Sequence, residues 1–185
     1  MKNIIFLTLT FFLFFSCSKQ SELHKKYNCS SSKISNSKTI KDFNKNFRLT
    51  ISNNWKSNFY FNKFQSEIFS ADTTKQLTDS FILGTSFNQG IINFNSNFHQ
   101  EKDSILTVNH LKLTDSGEQL FLSKPSYWYV AKGMKNGYTY HQFNSTIKLS
   151  ENTYFVGYSE IYGDTNINER ICETISILEK IEFLE

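Results

Sequence analysis

The residues of this chain that are best suited to acid–base or metal chemistry are its histidines and the carboxylates beside them. The four histidines are His24, His99, His110 and His141. His99 is followed closely by Glu101 and Asp103, and imidazole and carboxylate groups are common ligands of divalent metals. On a helix, however, positions i and i+4 share a face and position i+2 points away, so Glu101 could not join the other two. We therefore predict a solvated helix start here, and no metal site.

Nucleophilic catalysis has no recognisable sequence signature in this chain. There is no Gly-x-Ser-x-Gly elbow, no glycine-rich phosphate loop and no Cys-x-x-Cys pair. His141 lies in an alternating segment with Tyr140 and Gln142 on the opposite face, which favours a cross-strand polar residue over a catalytic base. We predict no catalytic residue and a protein that is not an enzyme; a hydrolase is the least favoured alternative.

The N-terminus has the pattern of an export signal. Met1-Lys2-Asn3 is followed by an apolar run over residues 4–15, which ends at Ser16-Cys17. The run has about a dozen residues, whereas a membrane-spanning helix needs ~20. We predict a signal peptide over residues 1–16; an ordinary cleaved signal and an uncleaved anchor are the alternatives.

The cysteine after this run makes the prediction more specific. Leu13-Phe14-Phe15-Ser16-Cys17 resembles the lipobox of bacterial lipoproteins, with Phe14 where leucine is usual. The resemblance implies that Cys17 becomes the N-terminus and carries diacylglycerol and an N-acyl chain, which anchor it in a lipid bilayer. Ser18 stands where aspartate would imply retention in the inner membrane, so we expect the outer membrane. No cofactor other than the lipid is expected.

The other two cysteines, Cys29 and Cys172, form an even pair in a compartment that permits disulfides. A disulfide would join the base of the N-terminal segment to the last predicted helix. Alternatively, Cys172 is a small buried apolar residue and Cys29 lies in a flexible stretch. The sequence leaves both interpretations open.

Composition excludes two classes of protein. A net charge of +3 without a basic cluster argues against nucleic-acid binding. An aromatic content of 16% excludes disorder along the whole chain. One domain fits a length of 185 residues.

The chain divides near residue 47. Residues 17–46 are rich in Ser, Lys and Asn and lack a sustained hydrophobic period, so we predict that they form a flexible tether after the lipidated cysteine. The alternative is a short docked helix over residues 34–43 capped by Thr39. Residues 47–185 are expected to form a single α+β domain.

Within that domain, period-two and helical patterns alternate along the chain. An Asn136-Gly137 pair between aromatic runs predicts a type I′ hairpin turn. We expect the first helix to end at residues 115–117, and an apolar stripe from Ile167 to Leu178 predicts the second. We predict strands over residues 47–51, 59–61, 67–71, 81–87, 119–122, 127–130, 138–149 and 153–162, and helices over residues 95–113 and from 167 onward. This order indicates an antiparallel sheet flanked by helices.

Aromatic residues concentrate around the predicted hairpin. Tyrosine and tryptophan are favoured at interfaces, so one hypothesis is a partner-binding face. The alternative is ordinary sheet packing. The residues concerned are Tyr127, Trp128, Tyr129, Tyr138 and Tyr140.

The succession of elements from residue 47 to residue 184 resembles the Mog1/PsbP-like group. The similar pieces are an amphipathic strand over residues 47–51 followed by Trp55, and the closing segment over residues 173–179. The family has a Pro-x-Gly-Trp turn where this chain has Ser52-Asn53-Asn54-Trp55. The resemblance implies an αβα sandwich and a binding or adaptor role, as in lipoproteins of the DcrB type, photosystem extrinsic subunits and adaptors for a small GTPase. We therefore expect an unknown envelope protein as partner; a small-molecule-binding or metal-binding lipoprotein is the alternative.

Overall fold

Three helices and ten strands make up the part of the chain that the computed structural model describes, residues 21–30 and 36–184. The predicted signal peptide and Cys17 lie outside the described residues. The helices are α1 (Glu22–Lys26), α2 (Ser96–Val108) and α3 (Ile167–Leu178). The strands are β1 (Ser37–Lys41), β2 (Phe47–Ser52), β3 (Trp55–Phe61), β4 (Gln65–Asp72), β5 (Phe81–Gln89), β6 (Leu111–Phe121), β7 (Lys124–Lys135), β8 (Tyr138–Lys148), β9 (Thr153–Tyr162) and β10 (Glu182–Phe183). In these described ranges, no helix has both the length and the apolar character needed to cross a bilayer.

Two antiparallel sheets organise the domain. The larger has seven strands in the order β3-β4-β5-β9-β8-β7-β6, and the smaller has three in the order β1-β2-β10. Burial alternates along β2 and β4, which is the pattern of strands with one face in a core. The ends of the seven-stranded sheet are β3 and β6.

Helices and the smaller sheet cover the larger sheet from both sides. On one side, Phe98 and Leu106 of α2 pack with Tyr127, Tyr129 and Ala131 of β7. On the other side, α3 and the three-stranded sheet close the main core, which contains Phe47, Phe143, Phe155, Ile171 and Ile175. The predicted fold class, α+β with an antiparallel sheet between layers, is confirmed.

Two local predictions are confirmed because the signals lie within short stretches of chain. Asn136 and Gly137 have φ of 53° and 82°, the positive values that a type I′ turn requires. The apolar stripe forms α3, and Leu178 at its end packs so closely over β9 that a Cβ on Gly157 would lie 2.5 Å from a Leu178 methyl. Asn166 begins the helix in a left-handed conformation and forms no side-chain cap hydrogen bond.

The predicted tether is wrong for the residues that the structure describes. Leu23 of α1 is fully buried in the core, and β1 pairs along its whole length with β2, with Ile40 opposite Leu49. The domain therefore includes residues 21–30 and 36–46 and does not begin at residue 47. The alternative helix over residues 34–43 is wrong too, because residues 37–41 are a strand. Only one of the five residues of β1 is apolar, so its own sequence shows no strand periodicity. It forms a strand because it pairs with β2.

The predicted extent of the first helix also needs correction. Helix α2 ends at Val108, and His110 follows with a φ of 56°, outside the helical region. Residues 115–117 are not a turn but the middle of β6, which pairs with β7 across a register shift between Leu113 and Asp115. Residues 111–121 form a strand because β7 provides backbone hydrogen-bond partners along them. The helical spacing of their apolar residues does not reveal that partner.

Candidate binding site

The histidines that suggested metal or acid–base chemistry lie apart from one another. His99 faces β6, with its Nε2 3.3 Å from Glu118 Oε1, and does not pair with Asp103. His24 Nδ1 lies 3.3 Å from Glu179 Oε2. Over residues 21–30 and 36–184, no three His, Cys, Asp or Glu side chains are grouped as a metal site would require.

The five aromatic residues of the predicted binding face do not share one surface. Tyr127 and Tyr129 are buried beneath α2, whereas Trp128 between them points to the opposite side of the sheet. Successive side chains of a strand alternate between faces, so three consecutive residues cannot form one surface. On its side, Trp128 lies edge-on to Tyr27, with ring centroids 6.1 Å apart.

Tyr138 and Tyr140 instead belong to a cluster at the hairpin end of the sheet. Their rings lie 6.3 Å and 5.2 Å from that of Tyr162. Lys135 Nζ lies 3.0 Å from both carboxylate oxygens of Glu160 and 4.8 Å from the centre of the Tyr140 ring. The Tyr162 hydroxyl donates to Glu160 Oε2 at 3.1 Å. The hairpin turn thus brings three rings around one ion pair.

Burial sets the protonation of this cluster. Burial, reinforced by the Glu160 charge, raises the pKa of Tyr140 far above its usual value. Burial raises the pKa of Tyr129 to about 12, and its hydroxyl donates to Gln142 Oε1 at 3.2 Å. Burial lowers the pKa of Lys135, but its bonds to Glu160 outweigh that effect and the pKa is raised. At neutral pH the cluster therefore offers neutral hydroxyl groups and a closed ion pair.

A small cavity of about 250 Å³ lies beside this cluster. Its apolar wall comes from the end of α2, β6 and β7, and its polar wall from β8 and β9. The volume is below the range typical of small-molecule sites and suits a single inserted side chain. The lining includes Ile105, Leu106, Leu111, Met134, Tyr140, Gln142 and Glu160.

A larger cavity of about 600 Å³ lies on the opposite face, at the start of α3; we call it the α3 cavity. It is bounded by α3, by β6, β7 and β8, and by the segment after α1. Its volume lies within the range of ligand-binding cavities. Its lining carries both charges and apolar groups: Tyr27, Thr114, Asp115, Val130, Lys132, His141, Asn166, Ile167, Asn168, Glu169 and Ile171.

The carboxylate of Asp164 contacts two basic side chains beside the α3 cavity. Asp164 Oδ1 lies 3.1 Å from His141 Nε2 and 3.2 Å from Lys132 Nζ. Hydrogen bonds from Thr139, His141 and Lys132, in that order of effect, lower the pKa of Asp164 to about 2. His141 itself is only 7% exposed, so the imidazole is a fixed part of the cavity wall.

A disulfide fixes the remaining wall of the α3 cavity. Cys29 and Cys172 are bonded, with their Cα atoms 5.2 Å apart, and Tyr27 lies just before this bridge. Lys26 Nζ lies 2.8 Å from Asp115 Oδ2. Burial, aided by Asp115, raises the pKa of Tyr27 well above its usual value, so its phenol is a neutral donor. The pairing that the sequence left open is thus present and shapes the cavity.

Polar groups of the α3 cavity are bonded to one another and to the backbone. Within the described parts of the chain, His141 has no serine, threonine or cysteine partner, and the hydroxyl of Thr114 donates to the Val130 carbonyl at 3.0 Å. Sequence reasoning missed Asp164 and Lys132, because β7, β8 and the turn after β9 meet only in the folded sheet. His141 was named from the sequence, but its partner 23 residues away follows no known spacing.

No protein-family model matches the chain, and no curated protein matches it by sequence. Its fold is nevertheless similar to solved structures. Cyanobacterial PsbP from Synechocystis sp. PCC 6803 is 8% identical, with a TM-score of 0.56 over 84% of this chain and 97% of that one. The Ran-binding protein Mog1p of Saccharomyces cerevisiae is 8% identical, with a TM-score of 0.54 over 81% of this chain and 96% of that one. A mutant of Mog1 is 10% identical, with a TM-score of 0.51 over 81% and 97%.

Identities this low establish the arrangement of the chain in space and nothing about its activity. The similarity extends over most of this chain and nearly all of each of the three proteins. It agrees with the resemblance inferred from the order of strands and helices. The chain therefore has the fold shared by PsbP and Mog1 proteins.

Proposed function

We propose that this protein is a lipid-anchored binding protein of the bacterial cell envelope, held in the outer membrane by acyl chains on Cys17. A diacylglycerol and an N-acyl chain supply the two or more hydrocarbon chains that stable anchoring needs. The lipobox-like residues 13–17 support the anchor. In this proposal the domain binds a partner and catalyses no reaction.

The observation that carries the proposal is the Cys29–Cys172 disulfide. Thiols remain reduced in most cytosols, whereas exported proteins form stable disulfides. Cys29 lies only 12 residues after Cys17. In an exported chain that begins at Cys17, the disulfide would therefore attach the N-terminal segment to the domain 12 residues after the lipid.

The α3 cavity is the binding site in this proposal. Three of the charged or polar groups beside it are paired with one another, since Asp164 Oδ1 lies 3.1 Å from His141 Nε2 and 3.2 Å from Lys132 Nζ. Its mixture of apolar and polar lining suits a segment of a protein partner. A protein with this fold, Mog1p, is a Ran-binding protein, which supports a binding role by analogy of fold alone.

A small molecule is the second candidate occupant. The observation that favours it is the cavity volume of about 600 Å³, which a ligand of ordinary size would fill. The two candidates differ in what the exposed rim contacts. A protein partner covers the rim, whereas a small molecule lies within the walls.

Cross-linking in cells tests the proposal. A photo-reactive amino acid at Asn168, an exposed residue on the rim, is compared with the same group at Asn152, an exposed residue at the other end of the sheet. We expect an envelope protein to be captured from position 168 alone, and Cys17→Ala to move the protein out of the membrane fraction. Equal cross-linking at both positions would contradict the assignment of the site. Ligand-dependent thermal stabilisation without a position-168 cross-link would favour the small molecule.

A further inference from the structure

Four phenylalanine rings are exposed at one end of the domain, in a group that we call the aromatic tip. Their exposed fractions range from 44% to 60%. Two lie on turns, one between β1 and β2 and the other between β3 and β4, and two lie in the second half of β3. Monomeric proteins seldom expose grouped apolar side chains of this size without a binding role. The members are Phe43, Phe59, Phe61 and Phe64.

The aromatic tip is held in place by specific contacts. The rings of Phe43 and Phe61 stack with their centroids 3.7 Å apart and their planes within 4°. Asn62 Oδ1 accepts hydrogen bonds from the backbone N–H groups of Phe64, at 2.8 Å, and Gln65, at 3.0 Å. The second turn is therefore braced, and it keeps Phe64 at the surface.

The charges of the two turns are positive where they face solvent. Lys45 follows Phe43, and Lys63 precedes Phe64 with its Nζ 5.5 Å from the ring centre. Neither lysine forms an ion pair with any residue in the described ranges. The acid of the first turn, Asp42, is buried and accepts hydrogen bonds from Phe47 N and Asn46 Nδ2. Exposed rings with lysines beside them match the composition of surfaces that enter the headgroup layer of an anionic bilayer.

The described chain also begins at this end of the domain. Ser21 N donates to Glu179 Oε1 at 3.1 Å, at the C-terminus of α3. Five residues later, Leu184 N donates to the carbonyl of Asn46, the residue after Lys45. Cys17 is four residues before Ser21, and four residues reach at most about 14 Å. A lipid on Cys17 would thus hold a bilayer against the end that carries the aromatic tip.

We propose that the aromatic tip inserts into the headgroup region of the bilayer that holds the acyl chains of Cys17. The proposal rests on the lipid anchor proposed above and adds a second contact, which fixes the orientation of the domain. Helix α3 has 12 residues and is about 18 Å long. Its C-terminus lies at the membrane end, so its N-terminus and the α3 cavity face away from the membrane, where a partner can reach them.

Spin labels on the acylated mature protein test the insertion. The labels are placed at Lys63→Cys, in the tip, or at Asn136→Cys, in the hairpin turn at the opposite end. The protein is bound to vesicles of phosphatidylethanolamine and phosphatidylglycerol, and collision with oxygen, which enters lipid, is compared with collision with a water-soluble nickel complex. We expect the ratio of oxygen to nickel collisions to be several-fold higher at position 63 than at position 136.

A set of variants separates insertion from a change in folding. Phe43→Ser, Phe61→Ser and Phe64→Ser combined should reduce the ratio at position 63 to that at position 136 while the protein remains on the vesicles. Val108→Ser, which removes another exposed apolar side chain at the end away from the tip, should leave the ratio unchanged. Equal ratios at positions 63 and 136 in the unaltered tip would overturn the proposal. So would a label shielded from both reagents and broadened by a second label nearby, which would indicate pairing of two copies.

The acylation of Cys17 is read separately, from the intact mass of the same sample. An unmodified Cys17 would contradict the proposed anchor, whereas an acylated protein with a water-exposed label at position 63 would contradict the aromatic tip alone.

Discussion

Cys29 and Cys172 are bonded to each other across 143 residues of sequence, with their Cα atoms 5.2 Å apart. The bond joins the segment that follows α1 to the middle of α3. It therefore holds both Tyr27, at the wall of the α3 cavity, and Ser21, at the opposite end of α1, against the domain. The disulfide therefore helps to position both Tyr27 at the cavity wall and Ser21, the residue from which the chain leads back to Cys17.

The first prediction concerns the stability that this bond contributes. Closing a loop of this length reduces the entropy of the unfolded chain, by up to about 5 kcal/mol in the chain-entropy model. We expect Cys29→Ser combined with Cys172→Ser to lower the free energy of unfolding by about 2 to 5 kcal/mol, measured by urea denaturation. Reductant should destabilise the wild type and leave the double variant unchanged. A wild-type unfolding midpoint that is the same with and without reductant would contradict the presence of the disulfide.

The second prediction concerns pH and Asp164. Its folded-state pKa is lowered to about 2 from an ordinary value near 3.8. A carboxyl with a lowered pKa adds stability above the unfolded pKa, and that stability is lost as the pH falls from about 4 to about 2. We expect Asp164→Asn to flatten this part of the curve of unfolding free energy against pH. Thr139→Val, which removes the strongest of its three donors, should flatten it in part; an unchanged slope in Asp164→Asn would contradict the assignment.

The third prediction concerns Arg170, whose buried guanidinium Nη1 donates to the carbonyls of Ser80 and Tyr162, both at 2.9 Å, and of Thr78 at 3.1 Å. These bonds tie α3 to the loop before β5 and to the end of β9. We expect Arg170→Met to cost about 3 kcal/mol, because hydrogen bonds to a charged group are strong and the carbonyls lose their partner. Arg170→Lys should restore only part of the loss, since one ammonium cannot replace both Nη1 and the Nη2 that donates to the Thr165 carbonyl.

The matched control for Arg170 is Glu169→Gln, an exposed change in the same turn of α3. Thermal and urea unfolding should both leave this variant within about 0.5 kcal/mol of the wild type. If Arg170→Met were as stable as Glu169→Gln, the hydrogen bonds of the Arg170 guanidinium would not contribute to the stability of the fold.

The fourth prediction compares two residues on the same face of β9. A Cβ at Gly157 would lie 2.5 Å from a methyl of Leu178, so Gly157→Ala must displace α3 and should cost about 1 to 3 kcal/mol. Ser159 Oγ is buried without a hydrogen-bond partner among the described residues. Ser159→Ala should therefore be neutral or stabilising. Chemical denaturation of both variants checks the pair, and equal losses would refute the packing argument.

The elements that could be predicted from the sequence are those whose cause is local. Asn136-Gly137 requires positive φ at both positions, and the apolar stripe of α3 repeats within one helix, so both follow from neighbouring residues. The order of the predicted elements indicated an α+β fold with an antiparallel sheet and helices, and the resemblance to the Mog1/PsbP-like group implied the sandwich. The sequence also named Cys29 and Cys172 as a pair that could bond.

The elements that were missed depend on partners distant in sequence. Strand β1 exists because β2 pairs with it, and α1, only five residues long, is too short to be stable alone and is held by Leu23 in the core. The His141–Asp164 pair forms because two strand ends meet at the edge of the α3 cavity. No periodicity within either segment carries that information.

The intact mass of the protein extracted from bacterial membranes, after alkylation without reductant, tests the lipid anchor most directly. We expect a chain that begins at Cys17, carries diacylglycerol and an N-acyl chain, and takes up alkylating reagent only after reduction, at Cys29 and Cys172. A chain that retains Met1 and is alkylated at Cys17 before reduction would contradict the proposed lipid anchor.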